Sequence, residues 1–220
     1  MYNDPSDLPL LTNPVGIDAP IQELQVDLKT NIPWLQKSFG RAYIGRTIRS
    51  AGKLYQYPAI YSGNSEVYDA SPNDNLTAYS FFEIEGSYRA QDYENSGDSG
   101  TNNYESPVSL VVWGNLNKVN ESLDTPYTDQ NFSQNLLQEI LIQVRKNYDF
   151  KVVSIEDNLY NVFEPYTCRT DDPTMFYFPY FCFKIRMTGV WREECGVTTI
   201  SPPPVYQTNN TLQPTLQFTI

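Results

Sequence analysis

A chain of 220 residues with 40% hydrophobic and 14% aromatic side chains is long and apolar enough to bury one sizeable core, and its 16 prolines call for many loops. The net charge of -11 works against tight, sequence-independent binding to phosphate backbones. No histidine occurs, which excludes every Ser-His, Cys-His and His-zinc arrangement.

Residues 1–16 carry prolines and acids without any period and read as an N-terminal extension. The start from Met1 to Asn13 lacks the basic end and apolar stretch of a signal peptide, and no run of apolar residues is long enough to span a membrane. A first helix is then expected. Asp18 is suited to cap it, Pro20 fits its first turn, and Ile21, Leu24 and Leu28 recur at helical spacing. Pro33 ends it, leaving Trp34, Leu35 and Phe39 to pack as a second short turn.

Beyond Gly40 the pattern changes to strands. Leu54 to Tyr61 is aromatic-rich, but Pro58 assigns it to an edge or irregular strand. Ser71 to Asn75 is a turn cluster, and Thr77 to Glu85 alternates, with Ala78, Ser80, Phe82 and Ile84 on one face. Gln91 to Ser106 is polar and rich in Gly, Asn and Ser, and reads as a mobile loop. Val108 to Leu116 is apolar on both faces, as expected of a covered central strand. A single stripe of Phe132, Leu136, Leu137, Ile140, Leu141, Val144 and Tyr148 predicts the helix that covers it, with Arg145 and Lys146 well placed in the last turn. Lys151 to Ile155 forms a short strand and Asn158 to Phe163 a helical turn. In the last strand, Phe181, Phe183, Ile185, Met187 and Trp191 face one way, while Lys184, Arg186, Thr188 and Arg192 face water or a partner.

The fold class is therefore α+β: a mostly antiparallel or mixed sheet packed by an amphipathic helix and an N-terminal helix, with extended terminal arms. One domain spans residues 17–195. Residues 196–220 form a C-terminal arm without a charged side chain. Its Pro202, Pro203 and Pro204 hold an extended backbone at low entropic cost, and Val205, Tyr206, Leu212, Leu216 and Phe218 cannot build a core of their own. These eight residues are the candidate oligomer interface.

Little in the chain points to catalysis. Glu83 and Glu85 lie two apart on one strand face, the spacing of a carboxylate pair, beside a solvent-facing Tyr79; a wet strand face explains them more simply. Asp69, Ser71, Asn73 and Asn75 imitate a calcium loop, but Asp74 stands where glycine is needed and Ser80 where a bidentate Glu is needed. Arg41, Arg46, Arg49 and Lys53 are cations along an irregular stretch and read as a solvated or intersubunit face. Cys168, Cys182 and Cys195 are an odd number at no metal spacing, and Cys182 reads as a core filler. No cofactor or metal is expected. The 17 tyrosines suit interfaces or carbohydrate-binding surfaces, because each buries a rigid area and keeps a polar tip.

The order of elements carries a resemblance. Trp34-Leu35 followed by Phe39-Gly40-Arg41-Ala42, the strand LVVWGNL (Leu110 to Leu116), the helix LLQEILIQV (Leu136 to Val144) and the closing strand FCFKIRMTGVW (Phe181 to Trp191) resemble the tail-terminator and neck-ring proteins of tailed bacteriophages. Within that class the chain looks like the tail ring proteins of crAss-like phages, over about Ile17 to Arg192. The resemblance implies a non-enzymatic virion subunit, assembled in the host cytoplasm into a homo-oligomeric ring of six or twelve copies. Such a ring surrounds the DNA channel, with portal or adaptor proteins above and tail proteins below. The duplex passes without specific binding, and no membrane is involved. Two other readings remain: a carbohydrate-binding or receptor-binding virion module that uses surface tyrosines, and a hydrolase built on Glu83 and Glu85.

Overall fold

The computed structural model describes residues 7–48, 52–63, 66–91, 103–124, 126, 131–168 and 173–192. The arm residues Pro202, Pro203, Pro204, Val205, Tyr206, Leu212, Leu216 and Phe218 lie outside the described residues, as do Arg49, Cys195 and residues 92–102 of the expected loop.

The fold is α+β, with helices packed on an eight-stranded mixed sheet. In chain order the strands are β1 (Lys37–Ile48), β2 (Leu54–Gly63), β3 (Glu66–Asp69), β4 (Ala78–Ile84), β5 (Arg89–Gln91), β6 (Asn103–Asn115), β7 (Phe150–Glu156) and β8 (Tyr180–Arg192). In space they run β3-β2-β1-β4-β6-β8-β7, and β5 pairs the free end of β6 beyond β4. Every pairing is antiparallel except that of β1 with β4. The centre is the β6–β8 pair, in register from Asn103 opposite Arg192 to Asn115 opposite Tyr180.

Two helices cover one face. Helix α1 (Asp18–Asn31) buries Ile21, Leu24 and Leu28, and α3 (Phe132–Lys146) buries Leu136, Leu137, Ile140, Leu141 and Val144. They meet Phe82, Leu110, Val112, Phe183 and Ile185 of the sheet in one apolar cluster. Trp34 joins the two helices, because its indole N–H donates to Glu139 of α3 at 2.7 Å. Two short helices, α2 (Leu116–Ser122) and α4 (Leu159–Val162), are capped by the Asn115 and Asn158 side chains, which accept from backbone N–H groups of the first turn.

The opposite face is covered as well. Helix α4, Tyr166, Cys168 and a 3-10 turn at Pro173–Phe176 lie over Tyr79, Phe81, Val111, Trp113 and Cys182. Two apolar layers therefore sandwich β4, β6 and β8, which explains why Val108 to Asn115 is apolar on both sides.

Several local expectations change. Asp18 is the first helical residue, and Ile17 precedes it without a side-chain cap. Phe39 belongs to β1 rather than to a turn, because β1 starts at Lys37 to pair in parallel with β4. Pro58 does not mark an edge: its carbonyl accepts from Ala70 at 2.8 Å, and two residues earlier Thr167 brackets Gln56 by backbone and hydroxyl bonds. Asn103 to Ser106 belong to β6, with Asn103 to Glu105 paired on both sides, so the expected loop is shorter than Gln91 to Ser106. Tyr148 is 99% exposed and off the helix stripe, since α3 ends at Lys146. Residues 7–16 are tied to the domain: the Gln25 side chain donates to the Pro9 carbonyl at 3.0 Å and the Gln22 side chain accepts from the Leu11 N–H at 2.7 Å.

Candidate functional site

Glu83 and Glu85 are the carboxylates the sequence singles out; Glu83 is buried, whereas Glu85 reaches solvent at the edge of the same cluster. Tyr79, expected in solvent, is fully buried and donates its hydroxyl to the Ala70 carbonyl at 2.8 Å. The reason lies in topology: α4 and the chain around Phe176 cover the face of β4 that alternation alone leaves open. Glu83 itself is 7% exposed and Lys184 5% exposed.

The charges there are matched. β4 and β8 flank β6, with Glu83 opposite Ser109 and Ser109 opposite Arg186. The small Ser109 leaves room for longer side chains to meet over it. Lys184 Nζ lies 2.8 Å from Glu83 Oε2 and also contacts Glu85, whose other oxygen lies 3.5 Å from Arg186 Nε. Tyr166 donates to Glu83 Oε1 at 2.6 Å. Two acids and two bases thus close a neutral cluster.

Its electrostatics follow from these contacts. Burial disfavours charge on Lys184, but Glu83 and Glu85 outweigh burial and raise its pKa. Burial likewise works against the Glu85 carboxylate, yet the Lys184 hydrogen bond and charge prevail and hold its pKa below the ordinary value. Burial, then the Glu83 charge, push the Tyr166 phenol well above its usual range. Glu85 is kept an anion, whereas an acid catalyst of glycoside cleavage needs a carboxyl group held protonated. The cluster suits tying β4, β8 and the covering chain together.

The other sequence candidates separate. In the calcium-like loop, Asp69 Oδ1 accepts from the Ser71 N–H at 2.9 Å, Asp69 Oδ2 from the Tyr55 hydroxyl, and Asn73 Oδ1 from the Asn75 N–H, so these oxygens make turns. Among the described residues no group of three or more His, Cys, Asp or Glu side chains is placed to hold a metal ion. Arg41 and Arg46 lie on regular strand, not on an irregular stretch, and five residues apart they fall on opposite faces of β1. Arg41 turns towards α1, 3.9 Å from Asp18, and covers the Tyr43 ring at 4.6 Å. Cys182 is buried in the second apolar layer, where burial pushes its thiol pKa well up and keeps it unreactive.

Reasoning from sequence missed one surface. Past the cover of α1, β1 and β2 extend as a ribbon with β3 alongside its inner end, and exposed apolar side chains occur on both faces. Ile44, Ile48 and Leu54 share one face, since Ile48 pairs Leu54 and Ile44 pairs Pro58. Tyr43, Tyr61 and Val67 share the other. Ile48 is 73% and Leu54 50% exposed. Tyr57 is pinned over Gly45, where an added Cβ would lie 2.6 Å from its ring, so this part of the ribbon has a fixed shape. The signal in the sequence is weak: Tyr43, Ile44, Ile48 and Leu54 are apolar, but Gly45, Arg46 and Thr47 interrupt them. No protein-family model matches the chain, and no curated protein matches it.

Proposed function

We propose that the chain is a structural virion subunit that forms a homo-oligomeric ring in the neck or tail of a tailed bacteriophage, around the DNA channel and between portal-side and tail-side proteins. The observation that carries this reading is the outer end of the β1–β2 ribbon, where the cross-strand pair Ile48 and Leu54 is exposed, with exposed Ile44 on the same face beyond the Arg46–Gln56 pair. A pair of exposed apolar side chains side by side at the end of a ribbon is a surface that a neighbouring subunit can cover. A ribbon projecting from one side of a subunit meets a different surface on its neighbour, and such a heterologous contact closes into a ring when the rotation allows.

The charge supports the same reading. A channel that passes a duplex without gripping it benefits from acidic walls, because few phosphates are neutralised and few counterions released; the chain carries -11. The resemblance in element order to neck-ring and tail-terminator proteins points the same way. Native mass spectrometry of the purified chain tests the proposal: one closed species of six or twelve copies is expected, and a monomer across the accessible concentration range overturns it.

A carbohydrate-binding reading has one observation in its favour, the part-exposed rings of Tyr88 and Trp191. Those rings have a better-matched occupant.

A further inference from the structure

Trp191, next to the end of β8, stands at the centre of an aromatic stack. The edge of Tyr88 meets it at 5.0 Å between ring centroids, and Tyr104 stacks on it at 5.4 Å. The indole lies against Gly16, where an added Cβ would sit 3.4 Å from Nε1. Beside this stack runs a groove of about 1090 Å³, lined by Val15, Tyr88, Tyr104, Tyr148, Trp191 and Arg192 among others. That volume is at or above the upper end of pockets that enclose a small ligand, and suits a stretch of chain.

Three features specify the occupant. An aromatic-lined groove accepts a polyproline helix, which enters already extended and so loses little entropy. Such a helix leaves its carbonyls without partners, and the fully exposed Tyr148 phenol stands at the groove to donate to one. Glu23 and Asp149 also line the groove, which disfavours an anionic guest. The sequence holds one segment that answers all three, Pro202-Pro203-Pro204-Val205-Tyr206, in an arm with no charged side chain. Arg192, which lines the groove, is the last described residue before the arm, and Pro202 follows it within roughly 35 Å of extended chain.

We propose that Pro202 to Tyr206 docks in the Trp191 groove, in the assembled ring from one copy to the next. The trans arrangement rests on the ring reading; the choice of groove does not. The docked segment covers Trp191 and Tyr88 and leaves the ribbon for the main subunit contact.

Two measurements on the full chain test this. Of the three tryptophans, Trp34 and Trp113 are fully buried, so quenching of tryptophan fluorescence by acrylamide reports Trp191. Changing Pro202, Pro203 and Pro204 together to Ser is expected to raise the quenching constant severalfold, and Trp191→Phe in that background is expected to abolish the gain. An unchanged constant overturns the proposal. The second is photo-cross-linking from a benzophenone amino acid at position 206, in a mixture of nitrogen-14 and nitrogen-15 labelled copies read by mass spectrometry. Cross-links to peptides holding Val15, Tyr104 or Trp191 support docking. Mixed-isotope products support the trans arrangement, and single-isotope products keep the groove while overturning the trans arrangement. Cross-links confined to other surfaces overturn the assignment of the groove to the arm.

Discussion

Tyr166 donates a 2.6 Å hydrogen bond to Glu83, a residue far from it in sequence, and on its other oxygen Glu83 holds Lys184 at 2.8 Å. The side chains of Glu83 and Lys184 are 9% and 6% exposed, so neither charge has water to replace a lost partner. Replacing Lys184 with Met leaves a buried carboxylate unpaired and should cost about 3–5 kcal/mol of stability, while Glu83→Gln added to it recovers most of the loss. Tyr166→Phe removes one of the bonds to Glu83 and should cost about 1–3 kcal/mol. Urea unfolding of the four proteins checks both the sizes and the recovery.

The same cluster sets a pH dependence. Glu85 has a folded pKa below its ordinary value near 4.5, so its contribution is present above that value and is lost as pH falls through the folded pKa. Lys184 has a folded pKa above the ordinary 10.5, so its contribution is complete below 10.5 and is lost as pH rises through the folded pKa. Melting temperature against pH should therefore show a plateau that falls below about pH 4.5 and above about pH 10.5. In Glu85→Gln the acid-side fall should be shallower. An acid limb identical to that of the parent protein contradicts the assignment.

Leu137 and Ile140 of α3 both enter the helix-side core. Truncation of either to Ala should cost about 2–5 kcal/mol, with the fully buried Ile140 at the upper end. An unchanged denaturation midpoint would show that α3 does not pack on the sheet.

Gly114, near the end of β6, has no space for a side chain. A Cβ there would lie 2.7 Å from the Phe181 ring and 2.8 Å from the Ala78 methyl, with the sheet fixing both. Gly114→Ala should destabilise by about 1–3 kcal/mol through overpacking, despite the higher strand propensity of alanine. The companion change Phe181→Leu, which opens the contact, should lessen the penalty of the alanine in a double-mutant cycle.

Elements with a local period were legible from sequence. Ile21, Leu24 and Leu28 mark α1, the stripe from Phe132 to Val144 marks α3, and the alternation from Phe181 to Met187 marks β8, although the face expected towards water or a partner is also buried at Cys182 and Lys184. The environment of Glu83 was not legible, because its partners sit on a strand two places away and on an irregular segment around Tyr166, which has no period to announce that it covers a sheet. Tyr79 was misplaced for the same reason: alternation tells which residues share a face, not what lies on it. The parallel pairing of β1 with β4 is likewise set by long-range packing, so Phe39 read locally as a turn residue. The ribbon escaped notice because Pro58 suggested an edge, whereas β3 and Thr167 supply partners on that side.

The ribbon gives the ring proposal a mutational handle. Ile48→Lys and Leu54→Lys alter exposed side chains that pair with each other at the outer end of β1 and β2. Both should leave the melting temperature of the subunit within a degree or two and weaken assembly in sedimentation, because a charge there must be desolvated only when a neighbour covers it. Loss of folding in either variant would place the ribbon in the core of the subunit instead.

Negative-stain imaging of the full chain at assembly concentration bears most directly on the ring itself. Closed annular particles of uniform diameter with an open centre are expected, and the Ile48→Lys protein should show them rarely or not at all. Dispersed single subunits in the parent protein, or open filaments, would contradict the account.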